Sequence, residues 1–117
     1  MFIEQPDLGR ILSEYYNLTY PTCKFWEGLE GFIARERTDK TKRFDVYVAV
    51  PLKHPWFKKP EFKQQKPFSC TIVNKQWALF RFKVRYYSDR IRYTRHLDKK
   101  LHVLVREAVK AEGWKDR

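Results

Sequence analysis

Apolar and polar positions alternate along two segments of the chain, which is the pattern of β-strands. Over residues 79–87, Phe80, Phe82, Val84 and Tyr86 share one parity and are expected to face the core, while the other parity is cationic. Residues 43–50 alternate in the same way, and a polar turn, TDKTK, joins them to a strand-like segment over 31–37. Together with a shorter strand over 68–73, these segments predict two consecutive antiparallel pairs.

Helical periodicity occurs near both ends of the sequence. Residues 6–16 and 97–112 each carry an apolar stripe at helical spacing, and Gly113 is suited to the C-terminal cap of the second. The order α-β-β-loop-β-β-α predicts a single α+β domain over residues 1–117. We expect an antiparallel sheet of about four strands, with an N-terminal and a C-terminal helix packed on one face. The other face of such a sheet can stay open to a ligand.

Residues 51–68 form a basic, proline-rich loop that contains four prolines and five lysines. Its first part combines aromatic and basic side chains, which is typical of a platform on which nucleic-acid bases stack. The alternative is that Trp56 and Phe57 fold into the core while the lysines are solvated, and the sequence leaves both interpretations open. The candidate binding residues of this loop are Lys53, His54, Trp56, Lys58 and Lys59.

Positive charge is concentrated in the middle of the chain. The 117 residues carry a net charge of +11, and residues 75–100 alone hold nine Lys/Arg against two Asp/Glu, a net of +7. Residues 1–52 hold seven against eight, a net of −1. A solubilising surface would more often mix both signs, so this distribution favours nucleic acid or another polyanion as the partner.

The cationic parity of the long strand is the main candidate site. Alternate cations on a strand lie about 6.6 Å apart, which is comparable to the spacing of phosphates. Arginine binds phosphate through two parallel hydrogen bonds, and tyrosine rings can stack on bases. The alternative is an ordinary solvated face whose cations prevent edge-to-edge pairing. The candidate residues are Arg81, Lys83, Arg85, Tyr87, Arg90, Arg92, Tyr93 and Arg95.

Signals for catalysis are weaker. Asp45 followed by Glu61 and Lys63 resembles the order of the PD-(D/E)xK nuclease pattern, so a small nuclease is kept as a third hypothesis. The sequence has no HxxxH pair, nucleophile elbow or phosphate-binding glycine loop. Cys23 and Cys70 lack a CxxC partner and are expected to be thiols. We therefore predict no enzyme, no catalytic residues, no metal and no cofactor.

The segment VYVAVPLKHPWFKK, residues 46–59, resembles a motif of small phage-encoded proteins, in which a strand ending in VAVP precedes xxHP and an aromatic or apolar residue. The resemblance implies phage or prophage origin and brings no established activity. The sequence shows neither a signal peptide nor a membrane span, which favours the cytoplasm, that of the host for a phage protein. The leading hypothesis is a nucleic-acid-binding accessory factor. The alternative is an inhibitor or modulator of an acidic host protein, and a homodimer through a strand edge stays open.

Overall fold

The computed structural model describes residues 16–18, 24–26, 29–36 and 43–114 of the chain. Six strands and two helices lie in these ranges. They are β1 Tyr16–Leu18, β2 Lys24–Trp26, β3 Leu29–Glu36, β4 Asp45–Pro51, α1 Pro55–Lys58, β5 Ser69–Val73, β6 Trp77–Phe82 and α2 Arg90–Val109.

All strand pairs are antiparallel and belong to one sheet. The strands lie in the order β1-β3-β4-β6-β5, and β2 also pairs with β3, beyond the end of β1. The α+β class, the β3–β4 hairpin and the β5–β6 pair are confirmed. The predicted helix over 6–16 lies outside the described residues apart from Tyr16, which begins β1. The short strands β1 and β2 were not predicted.

One face of the sheet packs against α2. Val46, Val48 and Val50 of β4 are buried on this side together with Phe80 and Phe82 of β6. The stripe of α2 that faces them is Leu97, Leu101, Leu104, Val105 and Ala108. This is the apolar parity and the helical stripe expected from the sequence. Burial of so many aliphatic and aromatic side chains is the main term that stabilises the fold.

The opposite face is also buried at its centre. Phe32 on β3 and Tyr47 on β4 are register partners, and their rings stack with centroids 5.4 Å apart. Leu79 and Trp77 of β6 belong to the same buried cluster. The prediction of an open face is therefore wrong for the middle of the sheet, where these side chains are buried and not accessible to a polyanion.

The long strand is shorter than predicted. Its ladder with β4 ends at Phe82, and residues 83–87 continue without strand structure. Phe80 and Phe82 face the helix as expected, and Val84 packs against the same core. Tyr86, the fourth member of the apolar parity, is instead exposed, because the alternation of faces holds only while the chain stays extended in the sheet.

Helix α2 begins seven residues before the predicted start at residue 97. The Asp89 carboxylate accepts hydrogen bonds from the backbone N–H groups of Ile91 and Arg92, at 3.0 and 3.3 Å. An aspartate at this position satisfies N–H groups that have no partner within the helix. The arginines of the segment 90–95 consequently lie on the first turns of a helix rather than in a turn after a strand.

Helix α2 lies very close to the sheet at Gly31 of β3. A Cβ atom at this position would lie 2.4 Å from Cγ2 of Val105 and 2.8 Å from Cδ1 of Leu101. Both distances are far below van der Waals contact, so the helix can approach the strand this closely only because residue 31 has no side chain.

We expect Gly31→Ala to lower the free energy of unfolding by about 1–3 kcal/mol, since the added methyl group overpacks the helix–sheet contact. Urea denaturation of this variant, of Val105→Ala and of the double variant provides the test. The double variant should be more stable than the sum of the two single effects predicts, because the smaller side chain at 105 makes room for the methyl group. Strict additivity would contradict this contact.

Candidate nucleic-acid interface

Arg81, the first cation of the candidate strand face, lies in an internal ion pair. Its Nε and its terminal guanidinium nitrogen each lie 2.8 Å from Oδ2 of Asp45, and its side chain is only 12% exposed. Lys83 lies 3.5 Å from the same oxygen but is 51% exposed. The prediction that Arg81 is presented to a ligand is therefore not supported, whereas Lys83 remains accessible.

Beyond the end of β6, the cations gather around one aromatic ring. The guanidinium carbons of Arg85 and Arg92 lie 5.2 and 4.5 Å from the centroid of the Tyr87 ring. The His96 ring meets the same tyrosine edge-on, with centroids 5.3 Å apart. Residues from the segment after β6 and from the first two turns of α2 are thereby held together, and cation–π attraction contributes to this arrangement.

Burial and nearby positive charge both lower the pKa of His96. Partial burial is the largest cause, and the charges of Lys100, Lys99, Arg85 and Arg92 lower the pKa further. All four cations thus lie close enough to oppose a proton on the imidazole. We call the set Tyr87, Arg85, Arg92, His96, Lys99 and Lys100 the Tyr87 cluster.

Within the described ranges, the ion pairs found join Asp45 to Arg81 and to Lys83, and none involves a cation of the Tyr87 cluster. Arg95 is also exposed on α2, three residues after Arg92, and so extends the same basic surface. The described part of the chain therefore contains a basic patch whose cations form no ion pair with a carboxylate.

A cleft of about 680 Å³ opens beside this cluster. We call it the aromatic cleft. Its walls come from β3, from the segments before β4 and after β6, and from α2. It is lined by Ile33, Arg35, Phe44, Tyr86, Tyr87, Ser88, Arg90, Tyr93, Thr94 and Leu97.

Tyr93 forms the floor of the aromatic cleft and is not available for stacking as predicted, because its ring is buried. Its hydroxyl donates to the carbonyl of Phe44 at 2.7 Å and accepts from the N–H of the same residue at 2.6 Å. Burial raises the pKa of this hydroxyl, so it remains protonated at neutral pH. Tyr86 packs edge-on against Tyr93 and leaves 42% of its own surface exposed at the rim.

The aromatic part of the loop 51–68 has a structural role. Trp56 is 1% exposed and packs against Phe62, Phe80 and Phe82, so it cannot stack on a base. His54 is fully buried as the N-cap of α1. The second interpretation of the sequence is therefore right for Trp56, although Phe57 is exposed.

His54 makes two hydrogen bonds that require one neutral tautomer. Its Nδ1 accepts from the N–H of Trp56 at 3.0 Å, and its Nε2 donates to the carbonyl of Ala108 near the end of α2 at 2.8 Å. Burial lowers the pKa of His54 to about 4. These two hydrogen bonds therefore hold α1 against α2. Because His54 is buried, it is not accessible to a ligand.

The lysines predicted in this loop are accessible but separate from the Tyr87 cluster. Lys53 lies 5.8 Å from the centroid of the Trp114 ring, and Lys58 and Lys59 are exposed on and after α1. Of these three, Lys59 lines a larger cavity of about 1050 Å³ between the loop and α2. Both signs of charge line that cavity, so it suits a polyanion less well than the Tyr87 cluster does.

The described part of the chain does not bring the residues of the nuclease hypothesis together in one site. Glu61 lines the larger cavity, whereas Asp45 is engaged by Arg81 and Lys83 on the sheet. Among the residues that the structure describes, no group of three or more His, Cys, Asp and Glu side chains could hold a metal ion.

Comparisons with protein-family models, with curated proteins and with solved structures found no match to this chain. Of the helices in the described ranges, none is long and apolar enough to cross a membrane.

Several residues of the candidate interface were not predicted from the sequence. His96, Lys99 and Lys100 lie in the helix after the arginine-rich segment, and the excess of positive charge over 75–100 was the signal that could have included them. Phe44 and Tyr86 carried no such signal, because they meet only through the tertiary fold.

The low pKa of His54 predicts acid destabilisation. The unfolded chain binds a proton on this residue near pH 6.5, but the folded protein does so only near pH 4. Its contribution to stability is thus present above about pH 6.5 and is lost progressively as the pH falls toward 4, by up to about 3 kcal/mol. Urea denaturation across this pH range should show the decline.

His54→Asn keeps a capping oxygen for the Trp56 N–H but cannot titrate. This variant should be less stable at pH 7, because it loses the bond to Ala108, and its stability should decline less between pH 6.5 and 4 than that of the wild type. His102→Asn, on the exposed side of α2, should follow the wild-type profile. A decline in His54→Asn as steep as that of the wild type would contradict this role.

Proposed function

We propose that the protein binds nucleic acid through the Tyr87 cluster, extended by Arg95 on the same helix. The observation that carries this proposal is the pair of guanidinium groups of Arg85 and Arg92, which lie 5.2 and 4.5 Å from the Tyr87 ring centroid. Neither has a carboxylate partner in the described part of the chain, and Lys99 and Lys100 follow on the same helix. Assembling like charges is unfavourable for the free protein, so a polyanionic partner is the physical reason for such a patch.

The chemistry of the cluster suits phosphate groups on a flexible backbone. Arginine presents a planar fork that donates two hydrogen bonds to phosphate, and the Tyr87 ring limits the orientations of Arg85 and Arg92. Lys99 and Lys100 add point charges about two turns beyond Arg92 along α2. The surface thus runs along the helix, which allows several successive phosphates to be neutralised.

The biological setting is also a proposal. The resemblance of residues 46–59 to phage-encoded proteins supports a phage or prophage accessory factor that acts in the host cytoplasm. In the structure, His54 and Trp56 of this motif are buried and join α1 to the core and to α2. These two residues of the motif therefore serve packing rather than binding.

One observation favours the alternative of an acidic protein partner. Phe68 is 61% exposed, and Arg81 and Lys83 lie 5.3 and 4.6 Å from its ring centroid. An exposed aromatic ring beside cations is typical of a residue that contributes strongly to a protein interface. A stoichiometric acidic protein that copurifies after nuclease treatment, and is lost in Phe68→Ala, would support this alternative.

The nucleic-acid proposal predicts a strong dependence of affinity on salt. Arg85→Gln/Arg92→Gln removes two positive charges while keeping polar side chains of similar length. If each arginine neutralises one phosphate, the slope of log K against log salt should decrease by about 1.4 for single strands and about 1.8 for duplexes. Fluorescence anisotropy with labelled oligonucleotides, measured between about 50 and 200 mM salt, gives the slope.

The matched control is Lys66→Gln/Lys110→Gln, which changes the net charge equally at exposed positions outside the cluster. It should retain a slope close to that of the wild type. Equal losses in both double variants would mean that only net charge matters, and absence of binding by the wild type would refute the proposed function.

A further inference from the structure

We infer that the aromatic cleft receives an unpaired nucleobase, so that the ligand of the Tyr87 cluster is single-stranded nucleic acid. This inference rests on the proposed function and adds to it the class of nucleic acid and the place of the base. It depends on three features of the cleft: its volume, its lining and its position beside the cations.

The volume and the lining suit a planar aromatic ligand. A cavity of about 680 Å³ lies within the range of sites that hold small molecules. Tyr86 leaves 42% of its surface exposed at the rim, and Arg43 lies 5.3 Å from its ring centroid. The half-buried ring of Tyr87 lines the cleft beside it, but Arg85 and Arg92 already lie over that ring. A base would therefore stack on the exposed part of the Tyr86 ring, whatever its identity, because every base has a π-face.

The lining of the cleft also includes polar groups that could bind the edge of a base and its phosphate. Ser88 and Thr94 are exposed hydroxyl residues in the lining, and each can donate and accept a hydrogen bond. Arg90 is exposed at the same opening and can reach a phosphate. The mixture of a few polar groups with aromatic walls is characteristic of ligand sites.

The cleft and the cationic patch share Tyr87. Its ring lines the cleft and also lies against the guanidinium groups of Arg85 and Arg92. A phosphate held by these two arginines is therefore adjacent to the opening that would take the base of the same strand. In a duplex the bases are paired and stacked, and moving one into the cleft costs a few kcal/mol, so single strands are preferred.

The N-terminus of α2 does not contribute an anion site to this inference. The Asp89 carboxylate already accepts from the N–H groups of Ile91 and Arg92, so these donors are not available to a phosphate. Phosphate recognition is assigned to side chains alone.

The experiment compares three labelled probes of equal length by fluorescence anisotropy. They are a single-stranded oligothymidine, the same backbone with abasic sites in place of the bases, and a duplex. The wild type should bind the base-bearing strand about 5- to 150-fold more tightly than the abasic strand, as expected for one stacked base. It should also prefer that strand to the duplex.

Variants at the rim assign this preference to the cleft. Tyr86→Ala should bind the base-bearing strand no more tightly than the abasic strand, whereas Tyr86→Phe, which keeps the ring, should behave like the wild type. Thr94→Trp, at an exposed position of the lining, should fill the cleft and abolish the preference without removing Tyr86. Circular dichroism of each variant verifies that α2 is formed.

The possible outcomes separate this inference from the proposed function. Equal binding of base-bearing and abasic strands, or tighter binding of the duplex, would overturn the base site while leaving a nucleic-acid-binding surface in place. A preference that persists in both Tyr86→Ala and Thr94→Trp would also overturn it. Failure of the wild type to bind any probe would refute the proposed function itself.

Discussion

The close contact between α2 and the sheet at Gly31 is the constraint on which the rest of the structure depends. Because residue 31 has no side chain, Leu101 and Val105 in the second half of α2 can lie directly against β3. This contact fixes the position of the helix on the sheet. Helix α2 therefore contributes to both candidate regions, the Tyr87 cluster and the loop 51–68. Its first turns carry Arg92 and His96, and its last turn carries the carbonyl that accepts from His54.

A buried histidine explains why a loop that contains four prolines and five lysines is ordered against the core. His54 satisfies both ring nitrogens with backbone partners, one in its own short helix and one in α2. Pro55 then begins α1 without losing a hydrogen bond, since the N–H of the first helical residue has no partner within a helix. Trp56 is thereby placed against the two phenylalanines of β6. A histidine–proline–aromatic sequence can thus serve packing as well as binding.

Local sequence patterns predicted those elements whose partners are close in the chain. The alternation of Phe80 and Phe82, and the stripe beginning at Leu97, located β6 and most of α2, because periodicity depends only on the element itself. Nothing in the pattern indicated that Arg81 would pair with Asp45, since the register between two strands 36 positions apart is a tertiary property. The charge excess located the cluster but not the aromatic cleft. Its walls come from distant segments, and only the folded chain joins them.

The Tyr87 cluster also affects the stability of the protein without ligand. Mutual repulsion among Arg85, Arg92, Lys99 and Lys100 opposes the folded state, since unfolding lets these charges separate. Any anion that binds only the folded form shifts the folding equilibrium toward it. If the proposed ligand binds this surface, it would therefore also protect the folded chain from proteolysis, and chains without ligand would be degraded faster.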